Sequence, residues 1–237
     1  MIYIAFSSFS IIRKIAGGRT AADLFGPLEW DEYTRLKIPA RLAEWEASRL
    51  AVKKMIKEVV PGTESLLLTS IQVQKESSGA PYVVVNGAGR LPGCLSISHS
   101  NGYVFTGYAE ETSRFGLDLE FIETRSKEFI ADYFTENEIL HLQSCTEECT
   151  PGIATLFWSA KEAALKAGRL GLRLDTRKIE ITPQACFEIN PFWQPVKIVC
   201  PELGMDFPRL YWRSEAGFIQ SFCVNSIEPA VTSWVNL

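Results

Sequence analysis

The chain has 237 residues, of which 46% are hydrophobic and 22% charged, a composition typical of a folded globular protein and not of an extended disordered one. Its formal net charge of −4 gives no support to non-specific nucleic-acid binding, so no nucleic-acid partner is expected. The six cysteines form no paired C-x-x-C pattern and there are only two histidines, which argues against a zinc site and favours reduced thiols in a cytoplasmic protein.

The first segment, MIYIAFSSFSIIRKIAGG, predicts a strand and not a secretory signal. It has no basic region at its start, and its positive residues Arg13 and Lys14 follow the apolar run. No segment is apolar for long enough to cross a membrane, so no membrane association is expected.

A long helix is predicted over IPARLAEWEASRLAVKKMIKEVVPG, where apolar residues recur at helical spacing until Pro61 and Gly62 end the pattern. Its basic residues are expected to form its solvated side; they are Arg41, Arg49, Lys53, Lys54 and Lys57.

Strands and turns follow this helix. The segment SLLLTSIQVQKESSGAPYVVV predicts two extended pieces around a Ser/Gly/Pro turn, and GCLSISHSNGYVFTGYAEE predicts a hairpin that turns at Asn101 and Gly102. We therefore expect a sheet beside the long helix.

The second half of the chain also combines predicted strands with a long predicted helix. SRFGLDLEFI predicts a strand, a helical region runs from Phe129 to Leu140, and IATLFWSAKEAALKAGRLG predicts a helix that ends near Gly168. Four β-like segments complete the tail. Each half of the chain is thus expected to combine a long helix with a mainly antiparallel sheet. This predicts an α+β pseudo-repeat, although no repeat is visible in the sequence itself.

The strand FGLDLE carries two carboxylates, Asp118 and Glu120. Because side chains alternate along a strand, Leu117 and Leu119 can enter a core while both acids emerge on the other face. One interpretation is a half-exposed edge strand with solvated acids; the other is a divalent metal site, since Mg²⁺ prefers carboxylate oxygens.

Two further groups of polar residues bear on this choice. In WSAKEAALK, Ser159, Glu162 and Lys166 share one helix face, either as an ordinary Glu–Lys pair or with Glu162 completing a three-carboxylate metal cluster. In SISHS, Ser98 and His99 stand at a strand end, where His99 is either structural or a donor to a phosphate oxygen.

These three segments, SISHS, FGLDLE and FWSAKEAALK in that order, resemble the motifs of the 4′-phosphopantetheinyl transferases of the long, two-lobed Sfp type. ASRLAVKKM and SSGAPY also resemble upstream segments of that family, so the resemblance runs from the mid-forties to about residue 172. It implies an α+β chain of two similar lobes in pseudo-twofold repeat, here 1–110 and 111–237, with coenzyme A in the cleft between them and the metal site in the second lobe. A monomer is expected.

The family transfers 4′-phosphopantetheine from coenzyme A to a serine of an apo acyl or peptidyl carrier protein and releases 3′,5′-ADP. The resemblance implies that Asp118, Glu120 and Glu162 hold Mg²⁺, with Mn²⁺ as an alternative. It further implies a set of coenzyme A contacts: Ser98, His99, Lys75, Arg41, Lys161 and Lys166. Two positions depart from the family pattern, Ser48 where a glycine is common and Ala80 where a lysine often precedes proline.

From the chemistry of this transfer, Glu162 would act as general base, either directly or through a metal-bound water, and Lys166 would add positive charge at the leaving group. The carrier is expected to dock between GLDLE and WSAKEA, where Phe129, Phe134 and Leu140 are either apolar contacts or core residues. Two alternatives remain: a Mg²⁺-dependent phosphohydrolase acting on a coenzyme A-like pyrophosphate, and a non-catalytic module that binds coenzyme A or a carrier.

Overall fold

The computed structural model describes residues 1–110, 114–182, 188–203, 208–225 and 231–234. It divides the chain into two compact units, one formed by residues 1–113 with 229–237 and the other by residues 114–228. The sequence-based boundary between residues 110 and 111 falls at a stretch outside the described residues, and the lobes 1–110 and 111–237 stay a prediction.

Seven α-helices are described within these ranges: α1 Phe9–Ala16, α2 Ala21–Leu24, α3 Pro27–Arg35, α4 Pro39–Val59, α5 Lys127–Tyr133, α6 Glu136–Ser144 and α7 Thr150–Gly168. The strands of the described ranges are β1 Ile2–Ser8, β2 Ile71–Lys75, β3 Pro81–Val85, β4 Gly89–Arg90, β5 Cys94–Ser100, β6 Tyr103–Ala109, β7 Phe115–Phe121, β8 Glu180–Thr182, β9 Gln194–Val199, β10 Pro208–Glu215, β11 Phe218–Asn225 and β12 Val231–Trp234.

The first unit combines two sheets with the long helix α4. One sheet has the strand order β12-β1-β6-β5, antiparallel except for the parallel pair of β1 and β12, and the other has the order β2-β3-β4. The hairpin of β5 and β6 turns at Asn101 and Gly102, which both have positive φ, as a tight hairpin turn requires. Val52, Met55 and Ile56 of α4 are buried in the core of this unit.

The second unit is one antiparallel sheet with α7 across it. The strand order is β7-β11-β10-β9-β8, and α7 packs against β7 and β11. Leu156, Phe157 and Leu165 of α7 are fully buried in its core, together with Ile219 and Cys223 of β11. This packing fixes the helix against the strand that carries Asp118 and Glu120.

The α+β class is confirmed, and so are the two long helices and the hairpin. The prediction that the basic residues of α4 form its solvated side is wrong for two of them. Lys53 is 0% exposed and Arg49 is 5% exposed. Both are buried because carboxylates on α3 receive them, as Lys53 bonds Glu29 at 2.6 Å and Arg49 bonds Glu32 at 2.7 Å.

Within the described ranges, none of the helices combines the length and the apolar character that a membrane span requires.

Candidate active site

The strand β7 lies unusually close to α7 at Gly116. A Cβ atom at this position would overlap the carbonyl oxygen of Ala163 and the amide nitrogen of Ala167, so only glycine fits. Further along β7, Leu117 and Leu119 are buried, and Asp118 between them is only 3% exposed. The interpretation of solvated acids on an edge strand is therefore wrong for Asp118.

The helix α7 reaches solvent along a single stripe. From Gly152 to Gly168 every residue is buried except Trp158, Glu162 and Lys166. These three are spaced four apart, so they lie above one another on one face of the helix. Ser159, which the sequence grouped with Glu162 and Lys166, is instead fully buried.

This stripe meets the carboxylates of β7. Lys166 donates from Nζ to Oδ1 of Asp118 at 2.7 Å, and Trp158 donates from Nε1 to Oε1 of Glu120 at 3.0 Å. The other oxygen of Glu120 accepts from Nη2 of Arg125 at 2.7 Å. The structure thus brings Asp118, Glu120 and Lys166 together, and adds two residues that sequence reasoning missed.

The sequence carries a signal for one of these two missed residues and none for the other. Trp158 stands four residues before Glu162, at the same helical spacing that links Glu162 to Lys166. Arg125 lies beyond the end of β7, where its guanidinium also pairs with Glu123 at 3.0 Å. Nothing in the sequence indicates that this loop turns back onto Glu120.

The carboxylates of the site influence one another. Burial raises the pKa of the Glu120 carboxyl above its ordinary value, and the charge of Asp118 raises it further, against the opposing effect of Arg125 and Trp158. Burial likewise raises the pKa of Glu162, which the Lys166 ammonium counteracts and the Asp118 charge reinforces. Glu162 therefore belongs electrostatically to the same cluster, an excess of negative charge that favours a bound cation.

Metal binding by this cluster stays a prediction. In the part of the chain that the structure describes, no set of three or more His, Cys, Asp and Glu side chains is grouped closely enough to hold a metal ion. Mg²⁺, however, usually takes one or two carboxylates from a protein and its other ligands from water and substrate phosphates. Asp118 and Glu120 fit this donor chemistry, because they are hard oxygen ligands that repel each other.

Lys161 lies off the exposed stripe of α7. Its side chain is fully buried, and Nζ contacts Oε2 of Glu138 at 2.7 Å and the carbonyl oxygens of Tyr133 and Thr176 at 3.0 Å each. Its neighbour Glu162 is partly exposed. The structure therefore separates the two residues of the KE pair onto different faces.

The other predicted coenzyme A contacts belong to the first unit. Ser98 and His99 lie on β5, where Nδ1 of His99 is 4.0 Å from Oε2 of Glu44. Lys75 lies at the end of β2 and bonds Glu32 at 2.8 Å, and Arg41 is exposed near the start of α4.

Of the three residues considered for carrier docking, two contribute to packing. Phe134 is 1% exposed and Phe129 packs against the core of the second unit, whereas Leu140 on α6 is 62% exposed. Phe134 is therefore a core residue, and Leu140 is the most exposed of the three.

The strand and helix that carry the candidate site lie in a segment that matches a protein-family model. Residues 114–198 match the model of the 4′-phosphopantetheinyl transferase superfamily, and no curated protein matches the chain. Among solved structures, a holo-[acyl-carrier-protein] synthase of Thermotoga maritima is 17% identical, with a TM-score of 0.38 over 47% of this chain and 61% of that one.

Two further solved structures are similar to this chain. The holo-acyl-carrier-protein synthase of Plasmodium yoelii is 18% identical, with a TM-score of 0.36 over 45% of this chain and 90% of that one. The synthase of Helicobacter pylori, solved in complex with coenzyme A, is 20% identical, with a TM-score of 0.30 over 46% of this chain and 98% of that one.

Proposed function

We propose that this chain transfers the 4′-phosphopantetheine group of coenzyme A to a serine of an apo acyl or peptidyl carrier protein, releasing 3′,5′-ADP. The match of residues 114–198 to the model of the 4′-phosphopantetheinyl transferase superfamily supports this proposal. The observation that carries the proposal is the meeting of Asp118 and Glu120 with the exposed stripe of α7, inside the matched segment. A buried and a partly exposed carboxylate beside a lysine suit the transfer of a charged phosphoryl group, where a protein mainly positions groups and balances charge.

Asp118, Glu120 and Glu162 would hold Mg²⁺, or Mn²⁺ in its place. When bound, the cation supplies positive charge to the pyrophosphate of coenzyme A. The three carboxylates would orient the part of the site that receives the pyrophosphate. Burial of Asp118 strengthens the interactions of its carboxylate because water is excluded there.

Two side chains of α7 act on the reacting groups. Lys166 offsets the negative charge that develops on the leaving 3′,5′-ADP, since its ammonium already lies at the site beside Asp118. Glu162, one turn earlier on the same stripe, accepts the proton of the attacking serine hydroxyl. The serine oxygen then bonds to the β-phosphorus as the bond from that phosphorus to the leaving 3′,5′-ADP breaks.

The first unit supplies the remaining coenzyme A contacts under this proposal. Ser98 and His99 donate to phosphate oxygens, and Arg41 and Lys75 contact the nucleotide end. The exposed guanidinium of Arg41 supports such a role, because it can reach a ligand without leaving a buried partner. One chain supplies both the lobes 1–110 and 111–237, and the enzyme acts as a monomer.

The test is the intact mass of an apo carrier protein after incubation with this chain, coenzyme A and Mg²⁺. We expect the carrier to gain one phosphopantetheine arm. Asp118→Ala and Glu162→Ala should each reduce the rate by at least about a hundredfold. Glu188→Ala, which removes an exposed carboxylate of the same unit outside the segment expected to dock the carrier, is the matched control and should retain activity.

The same experiment separates the alternatives. Release of 3′,5′-ADP from coenzyme A without any carrier would identify a phosphohydrolase. Binding of coenzyme A without turnover, across a panel of acyl and peptidyl carriers, would identify a non-catalytic module. Either result contradicts the transferase proposal.

A further inference from the structure

The ammonium of Lys161 is completely enclosed. Its three contacts, to the carboxylate of Glu138 and to the carbonyls of Tyr133 and Thr176, equal the three hydrogens that a lysine can donate. A buried ammonium is costly unless all its donors are used, so this arrangement tolerates little displacement of the side chain. Lys161 consequently has no donor left for a ligand.

The same arrangement occurs at Lys53 in the first unit. Nζ of Lys53, also 0% exposed, donates to Oε2 of Glu29 at 2.6 Å and to the carbonyls of Leu24 and Leu68 at 2.7 and 3.0 Å. Each lysine lies in the long helix of its unit, α4 or α7.

The two carboxylates also correspond. Glu29 and Glu138 are each the third residue of a short helix, where each accepts from the backbone amide at the start of that helix. The second oxygen of each accepts from a strand amide, of Val73 and Ile181 respectively, at separations of 44 and 43 residues. Both glutamates therefore tie a helix end, a strand and a lysine together.

The spacing along the chain agrees with this correspondence. Lys53 and the carbonyl of Leu68 are 15 residues apart, as are Lys161 and the carbonyl of Thr176, and both carbonyls belong to 3-10 helices that precede a strand. An aromatic ring lies beside each ammonium, Phe25 at 5.2 Å and Phe134 at 5.5 Å.

Strand pairing repeats as well. In the first unit β1 pairs with β6, which pairs with β5; in the second β7 pairs with β11, which pairs with β10. The recurrence of the buried Lys–Glu pair at equivalent positions indicates one structural unit used twice.

We propose that Lys161 is a positioning residue: paired with Glu138, it fixes the rotation of α7 and so directs Trp158, Glu162 and Lys166 at Asp118 and Glu120. Successive residues of an α-helix point about 100° apart, so anchoring Lys161 on the inner side sets the direction of Glu162 next to it. Lys53 with Glu29 holds α4 in the same way. The catalytic consequence rests on the transferase activity proposed above, whereas the geometric one does not.

The geometric consequence is tested by NMR of the tryptophan indole groups, because each long helix carries its own reporter. Trp158 lies on α7 and Trp45 on α4. The chain has six tryptophans, and therefore six ¹⁵N–¹H indole signals. The signal that disappears in Trp158→Phe belongs to Trp158, and the one that disappears in Trp45→Phe belongs to Trp45. We expect Lys161→Met to shift or broaden the Trp158 signal and leave that of Trp45, and Lys53→Met to do the reverse. An unchanged Trp158 signal in folded Lys161→Met overturns the proposal.

The catalytic consequence is tested by steady-state kinetics with the carrier. Lys161→Met should lower kcat on the order of tenfold to a hundredfold and leave KM for coenzyme A within about twofold, because misplaced groups slow the reaction without removing a ligand contact. A raised KM with kcat retained would make Lys161 a coenzyme A contact and contradict the proposal.

If Lys161→Met does not fold, Glu138→Gln decides. Glu138→Gln keeps the shape of the side chain and an oxygen that can accept from Lys161. If Lys161 were instead a coenzyme A contact, this substitution would not lower kcat. We expect kcat to fall and the Trp158 indole signal to move; unchanged values of both would overturn the proposal. If the unmodified chain transfers nothing, the proposed function fails, and the indole signals still test the positioning role.

Discussion

Both oxygens of the Glu120 carboxylate accept a hydrogen bond. It accepts from a neutral donor, Trp158, and from a charged one, Arg125. A cation bound at Glu120 would have to share this carboxylate with the Arg125 guanidinium, and the two positive charges would repel each other.

We therefore predict that Arg125→Gln tightens metal binding. Removing a charged hydrogen-bond donor that competes for Glu120 should raise Mn²⁺ affinity on the order of tenfold. Isothermal titration calorimetry or the electron paramagnetic resonance of free Mn²⁺ measures this. Arg177→Gln, which breaks an exposed pair with Asp175 elsewhere in the unit, is the control and should change nothing. Equal or weaker Mn²⁺ binding by Arg125→Gln would refute the competition.

Cys223 on β11 provides a prediction about reactivity. Cys223 is a buried free thiol, and burial raises its pKa to about 12. Because alkylation requires the thiolate, Cys223 should stay unmodified by iodoacetamide through pH 9 while the chain is folded. Cys149, which is only partly buried, should be modified before Cys223. Peptide mass mapping reads out both sites.

The control for this prediction is the same labelling in urea, where unfolding exposes Cys223 and restores its ordinary acidity. Modification of Cys223 at the rate of Cys149 in the absence of urea would show that the strand core opens readily, contrary to its burial.

At the scale of elements, the site depends on how closely β7 approaches α7. Gly116→Ala places a methyl group against backbone atoms of Ala163 and Ala167, which cannot move aside as a side chain could. We expect a loss of about 1–3 kcal/mol in the free energy of unfolding, measured by urea titration, and a weaker Mn²⁺ affinity because the strand and helix separate.

Gly168→Ala is the matched control on α7 itself. The atoms nearest to its added methyl belong to the side chains of Leu203 and Leu170, at 3.1 Å or more, and these can adjust. Mn²⁺ affinity should then be unchanged. If both substitutions lower the free energy of unfolding equally and neither changes the Mn²⁺ affinity, the close approach at Gly116 does not determine the geometry of the site.

The elements themselves were largely predictable because local signals define them. Pro39 at the start and Pro61 beyond the end bracket α4, and the Asn101–Gly102 turn sets the β5–β6 hairpin. The burial of Lys53 was not predictable, because its partner Glu29 lies 24 residues away on another helix. Helical periodicity treats a lysine as solvated and carries no information about such a partner.

The same limit applies to the candidate site. The alternation of β7 and the four-residue spacing of Glu162 and Lys166 predicted which side chains share a face. That Lys166 would pair with Asp118, 48 residues away, depended on how the helix crosses the strand, which the packing at Gly116 determines. The contribution of Arg125 depended on a loop conformation that no periodic pattern encodes.

At the scale of the whole molecule, the chain crosses between its two units twice. The second unit spans residues 114–228, yet β12 returns to the first unit and pairs in parallel with β1. Ile2, Tyr3 and Ile4 face Val231, Ser233 and Trp234 in this pairing. The stability of the start of the chain is thus coupled to a segment that follows the entire second unit.

We predict that deleting residues 229–237 destabilises β1 while sparing the second unit. Without β12, one side of β1 becomes an unpaired sheet edge, whereas its pairing with β6 remains. Hydrogen exchange followed by mass spectrometry should show faster exchange over residues 2–4, by roughly twofold to tenfold, since each lost backbone hydrogen bond contributes about 0.5–1.5 kcal/mol. Peptides covering β11 in the second unit should exchange as before. Deletion of residues 235–237 alone keeps β12 and is the control; the same acceleration in both deletions would show that the β1–β12 pairing is not what protects the first strand.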